Sequence, residues 1–164
     1  ENTNEPYGES PVSPAMGAYF NKKAYTDPAL RKEYTNKGFW VNIRLIRYPD
    51  VLLMAAESAN EKGLMGEASG YLEQVRAHAR GTLTNVLPKV ESLDQSVLRE
   101  AIRHERRVEL GLEPDRFYDL VRWGIAQEVL QAAGKNYQPK NALLPLPQTE
   151  IDKSNGVLVQ NPDY

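Results

Sequence analysis

Ile102–Trp123, IRHERRVELGLEPDRFYDLVRW, constrains the fold of this chain more than any other stretch. Read at the helical period, Leu98, Ala101, Ile102, Glu105, Val108, Glu109 and Leu112 share one face. Glu105 and Glu109 therefore fall inside an apolar stripe. A carboxylate taken out of water there is costly unless a cation or hydrogen-bond donor meets it. The sequence offers partners at once in Arg116 and Arg122, with Asp119 between them. The expectation is an ion network of Glu105, Glu109, Arg116, Asp119 and Arg122. In it, acids of one helix are held out of water by guanidinium groups of the next.

Elsewhere the periodicity is helical as well. Pro49 and Asp50 open a helix through VLLMAAESANEK, and Gly63 stops it. A second helix covers about Glu67–Arg80, with Ala68, Leu72, Val75 and Ala79 on one face and Gly81 after its end. Only a few residues join the two, so they should form an antiparallel helical hairpin. Thr82–Ser92 is a connector. Asp94 caps a long helix reaching about Leu110, and Gly111 ends it. Pro114 begins a helix over Asp115–Trp123, and Ile125–Ala133 is a further helical piece ending at Gly134. The hairpins near 49–80 and 94–123 resemble one repeated helical-pair unit.

The ends read differently. Residues 1–20 hold three prolines and no period, and read as loop or extended arm. DPALRKEY can make a short helix capped by Asp27, and VNIRLIRY (41–48) alternates as a short strand would. Pro139, Pro145, Pro147 and Pro162 require the last thirty or so residues to run extended over the helices. The division is thus an arm with a short helix over 1–43, followed by a helical domain over 44–164.

Composition closes off several function classes. With a formal net charge of −2, no global field recruits nucleic acid or an anionic membrane. The absence of cysteine removes disulfides, thiolate metal sites and a cysteine nucleophile. No apolar run approaches the roughly 20 residues of a membrane-spanning helix. The chain opens on Glu1 without a signal peptide and reads as a processed or truncated piece.

The candidate chemistry is sparse. His104-Glu105 suggests a zinc motif, but Val108 stands where the second imidazole is required, so no metal site is expected. A Glu105/Glu109 acid–base pair is disfavoured because adjacent arginines would keep both ionised. From Arg99 to Arg122, six arginines meet six acids, which reads as an ion-paired helix and not a phosphate-binding stripe. No catalytic residue and no cofactor are implied, since GxGxxG, Walker A and GxSxG patterns are all missing. Tyr34, Phe39 and Trp40, with Tyr25, are the ligand-binding candidates. Their rings can stack on the apolar face of a sugar or fill a local core. Trp123, among arginines, is read as structural and stacked under a guanidinium.

Four segments together resemble the C-terminal part of the SusD/RagB family. They are RLIRYPDVLLMAAESANEKG (44–63), LEQVRAHARG (72–81), IRHERRVELGLEPDRFYDLVRWG (102–124) and LLPLPQTEIDKSNGVLVQNPDY (143–164). The last ends on the Q-N-P-x-Y that typically closes family members. The resemblance implies a mainly α fold of tetratricopeptide-like antiparallel helix pairs, a SusD-like α-α superhelix with an extended N-terminal arm and a Pro-rich C-terminal tail. It implies a non-catalytic, glycan-binding lipoprotein on the outer face of the outer membrane, delivering oligosaccharide to a TonB-dependent transporter. Membrane association would come only through a lipid anchor absent from this chain, which is expected to be a C-terminal fragment acting as scaffold. Arg44, Arg47, Glu57, Glu105, Arg106, Glu109, Arg116, Asp119 and Arg122 carry over as scaffold positions. Pro114 departs from the glycine usual after Glu113 and stiffens that turn. The alternative is a free-standing helical-repeat adaptor gripping a protein partner between its hairpins. A hydrolase would need an acid–base pair in an open pocket.

Overall fold

The computed structural model describes Asn21, Lys23 and residues 44–164. The expected arm, its short helix, and Tyr25, Tyr34, Phe39 and Trp40 lie outside the described residues. Among the described residues six α-helices follow one another: α1 (Tyr48–Glu61), α2 (Met65–Arg80), α3 (Gln95–Glu109), α4 (Asp115–Arg122), α5 (Ala126–Ala132) and α6 (Gln148–Lys153). A 3-10 turn covers Pro139–Ala142. The fold is mainly helical, and no strand occurs among the described residues. The chain divides into two compact units, residues 1–102 and 103–164, with the division inside α3.

In the first unit, α1 and α2 pack as the hairpin that their short connection requires. Leu52, Leu53, Ala56 and Ala59 of α1 meet Ala68, Leu72 and Val75 of α2, and Leu98 and Ile102 complete the cluster. The alanines keep the two backbones close, while Leu53, Leu72, Leu98 and Ile102 are the large apolar side chains sealed from water. Each such burial contributes about 1.5–3 kcal/mol. Gly63 ends α1 in a Schellman motif: its amide donates to Asn60 and the Leu64 amide to Ala59. Its φ of +78° is a conformation that a Cβ would strain.

Two polar devices join the end of α1 to the start of α3. Asn60, fully buried, donates through Nδ2 to the Gln95 carbonyl at 3.1 Å, and Gln95 Nε2 returns a bond to the Asn60 carbonyl at 2.8 Å. Arg99 then forks onto both oxygens of Glu61 at 2.7 Å. The connector between α2 and α3 is pinned along α2. Arg76 and Arg80 donate to the carbonyls of Pro88 and Leu87, and the Ser69 hydroxyl to that of Val90. Asp94 caps α3, accepting the amides of Ser96 and Val97 at 2.8 and 3.0 Å.

The second unit has a smaller core. Leu120, Ala126 and Tyr137 are buried, with Phe117, Val121, Ile125, Val129 and Leu130 against them. Glycines 124 and 134, both at φ +71°, close α4 and α5 with the same Schellman pattern.

Three expectations are corrected. Arg44–Arg47 is not strand, and Tyr48 already belongs to α1; Leu45 and Ile46 stand exposed with no neighbouring strand to pair with among the described residues. Gly111 does not supply the left-handed turn after α3. Leu112 does, at φ +66°, while Gly111 is small because a Cβ there would lie 3.2 Å from the Val108 carbonyl. The tail is not wholly extended, because Pro147 serves as the N-cap of α6. A proline forbids helix on its N-terminal side and favours one that begins after it.

Candidate functional site

The second unit is organised around Asp119. Its position on α4 is buried, beside Leu120, and both carboxylate oxygens accept bonds from guanidinium groups. Arg106 of α3 donates through Nε to Oδ2 at 2.9 Å, with both side chains about 5% exposed. Arg122, one turn along α4, reaches Oδ1 at 2.9 Å but remains 43% exposed. This single acid therefore joins the two helices.

Glu105 is buried, as the helical pattern requires, while Glu109 and Arg116 are half-buried. Beside these acids the structure shows a link that runs in the opposite direction to the one expected. The buried pair sets a guanidinium of α3 against a carboxylate of α4, and Arg122 is exposed, not held out of water. The expected network omitted Arg106, although that residue follows Ile102 by one turn and so inherits a buried position. Val108 and Leu112, placed on the buried stripe by spacing, are 58% and 66% exposed. Val108 lies about 120° around the helix from Ile102, and Leu112 falls beyond the helix end.

Trp123, just after α4, gathers three cations. The guanidinium carbons of Arg122, Arg103 and Arg116 lie 4.9, 5.0 and 5.9 Å from its ring centroid. Burial pushes the Arg116 guanidinium below its ordinary value, as does neighbouring Arg107, and Asp119 opposes them. With guanidinium groups crowded over it, this ring is a structural hub and a poor sugar platform.

The last residues form a clasp that sequence pattern did not reveal. Gln160 accepts the Leu146 amide at 2.8 Å and donates to the Leu146 carbonyl at 2.9 Å, so its amide group imitates a strand neighbour. Asn161 donates to the Leu144 carbonyl, and the Tyr164 hydroxyl lies 3.0 Å from that of Leu143. Lys140 donates to the Asp163 carbonyl and sits over the Tyr164 ring. Four of the five residues in QNPDY thus contact the 140–146 segment; the recurrence of that ending was the only available signal.

What this geometry can do is hold elements together. A depression beside the end of α2, lined by Arg80, Thr82, Leu83, Thr84, Pro88 and Lys89, contains no carboxylate. No cluster of metal-ligating side chains occurs among the described residues, and no described helix is long and apolar enough to cross a membrane.

The buried Arg–Asp link between consecutive helices, the arginine-ringed tryptophan and the clasped terminus belong to a mainly helical protein tied together by polar contacts. The chain belongs to the SusD family, whose model matches residues 2–142. That match reaches upstream of residue 44 and stops short of the terminal clasp. The chain is 39% identical over 124 residues to SusD-like protein P25 of Formosa agariphila, covering 71% of this chain and 23% of that protein. SusD-like protein P2 of the same organism is 36% identical over 127 residues, covering 73% and 25%. A crystallised SusD homologue from Bacteroides thetaiotaomicron superposes with a TM-score of 0.65 at 31% identity, over 73% of this chain and 26% of that one. The chain thus spans about a quarter of the length of these relatives.

Proposed function

We propose that this chain is part of a non-catalytic, glycan-binding component of nutrient uptake, acting at the cell-surface face of the outer membrane with a TonB-dependent transporter. The observation that carries the reading is the family match over residues 2–142, together with relatives named SusD-like. Within that protein, the described residues act as scaffold. Their charged groups are engaged with one another, as Asp119 is with Arg106 and Arg122 and Glu61 with Arg99. Aromatic contact with sugar falls to Tyr34, Phe39 and Trp40, ahead of the helical domain.

The reading is tested with the purified chain against soluble starch, xylan and pectin. Calorimetry is expected to give weak or no binding, and a reducing-sugar assay no release over time. Co-purification of the longer SusD-like protein with a TonB-dependent transporter from outer membranes is the matching expectation in cells. Steady release of reducing sugar would overturn the non-catalytic reading. Tight binding by this chain alone would overturn the scaffolding role of its helical residues, and tight binding unaffected by Trp40→Ala would remove that ring from sugar contact.

A further inference from the structure

The turn after α6 brings together a reactive side chain and an open main-chain amide. Of the asparagines in this chain, Asn155 is the one followed by glycine. Both residues are exposed, and both are left-handed, Asn155 at φ +53° and Gly156 at φ +83°. Asparagine adopts that conformation more readily than other side chains, because its short polar group can bond locally. Two bonds fold the turn back onto Ser154. The Val157 amide donates to its carbonyl at 3.2 Å, and the Leu158 amide to its hydroxyl at 2.9 Å. Neither the Asn155 side chain nor the Gly156 amide has a hydrogen-bond partner among the described residues. A Cβ at Gly156 would meet nothing within 4 Å, so the approach to its nitrogen is unobstructed.

We propose that Asn155 is a site of spontaneous deamidation, through a succinimide closed by the Gly156 nitrogen. Water or hydroxide takes the Gly156 amide proton, and the nitrogen bonds to Asn155 Cγ. The Cγ–Nδ2 bond breaks, and Nδ2 leaves as ammonia with a proton from water. A water molecule then opens the ring. Addition at Cγ gives aspartate on the normal main chain. Addition at the main-chain carbonyl gives isoaspartate, in which the chain runs through the side chain and is one methylene longer. One water is consumed, one ammonia is released, and nothing is oxidised or reduced. The lengthened chain cannot keep both Ser154 bonds in register, so the isoaspartate product carries a new carboxylate on an opened turn. Two other asparagines lack these conditions. Asn161 precedes Pro162, which has no amide proton to give up. Asn136 is exposed, but the Tyr137 amide after it is committed to the Lys135 carbonyl at 2.9 Å. The reaction needs neither glycan nor transporter.

The test holds the purified chain in mildly alkaline buffer, cleaves it after Lys153 and sequences the fragments by tandem mass spectrometry beside an unincubated sample. The 154–164 peptide should gain the mass of deamidation at Asn155 and none at Asn161. Conversion should run about tenfold faster than at Asn136, whose neighbour must first surrender a hydrogen bond. A synthetic peptide of residues 153–160 should react no more than about tenfold faster than the folded chain, because no structure has to open first. Enzymatic methylation specific for isoaspartate should label the aged chain and fall to background in Asn155→Gln, whose longer side chain closes the ring poorly. In the isoaspartate fraction the Leu158 amide should exchange its hydrogen faster than in the parent. An intact Asn155 in the aged chain would overturn the proposal. So would conversion no faster than at Asn136, reaction far slower than in the peptide, or label that survives Asn155→Gln. Unchanged exchange at Leu158 would overturn the opening of the turn.

Discussion

Replacing Asp119 with Asn keeps the shape of the side chain and removes its charge at a buried ion pair shared by α3 and α4. Arg106 Nε lies 2.9 Å from Asp119 Oδ2, and neither side chain is more than 6% exposed. Breaking such a pair costs roughly 3–5 kcal/mol, because the remaining ion stays desolvated. The Asn carbonyl can still accept one bond, and Arg106 has further contacts, so the expected loss is at the lower end, about 3 kcal/mol. Arg122→Ala removes the other partner of the same acid. That guanidinium is 43% exposed, and its loss should cost less than about 1 kcal/mol. Urea unfolding followed by circular dichroism separates the two. Combining Arg106→Met with Asp119→Leu should recover most of the stability lost in Asp119→Leu alone, since an apolar pair requires no desolvation of charge. An Asp119→Asn loss below about 1 kcal/mol, or one equal to that of Arg122→Ala, would refute the assignment of a buried link.

Two further outcomes are expected. The Asp94 carboxyl is held below its ordinary value of 3.8 by the Ser96 hydroxyl and by the amides of Val97 and Ser96. Its cap therefore stabilises α3 above that pH and is lost as pH falls through the lower folded value. Asp94→Ala should accordingly lower the Tm at neutral pH and match the parent well below pH 3.8; a gap that persisted there would count against the cap. Gln160→Ala should leave the helices intact while the Leu146 amide exchanges its hydrogen about tenfold faster, the effect of losing roughly 1 kcal/mol of local hydrogen bonding. Unchanged exchange at Leu146 would mean that the clasp is held by other contacts.

Much of this protein is legible in its sequence because the causes are local. Pro49, Asp94 and Pro114 start helices, and Gly63, Gly124 and Gly134 stop them, since caps and positive-φ turns depend on a few adjacent residues. The apolar spacing of α1 and α2 fixed their hairpin for the same reason. The four segments from RLIRYPDV to QNPDY pointed to the SusD family, which the match over 2–142 establishes. Sequence also requires that a charged group on the α3 stripe find a partner.

Which partner was chosen is a matter of three dimensions. Spacing along one helix says which side a residue occupies, not which neighbour stands opposite. Only tertiary structure selected Arg106 for Asp119 and left Arg122 at the surface. The same holds for Gln160 meeting Leu146, fourteen residues away in the chain. Periodicity predicts burial, but burial is realised only where another element arrives to cover the face.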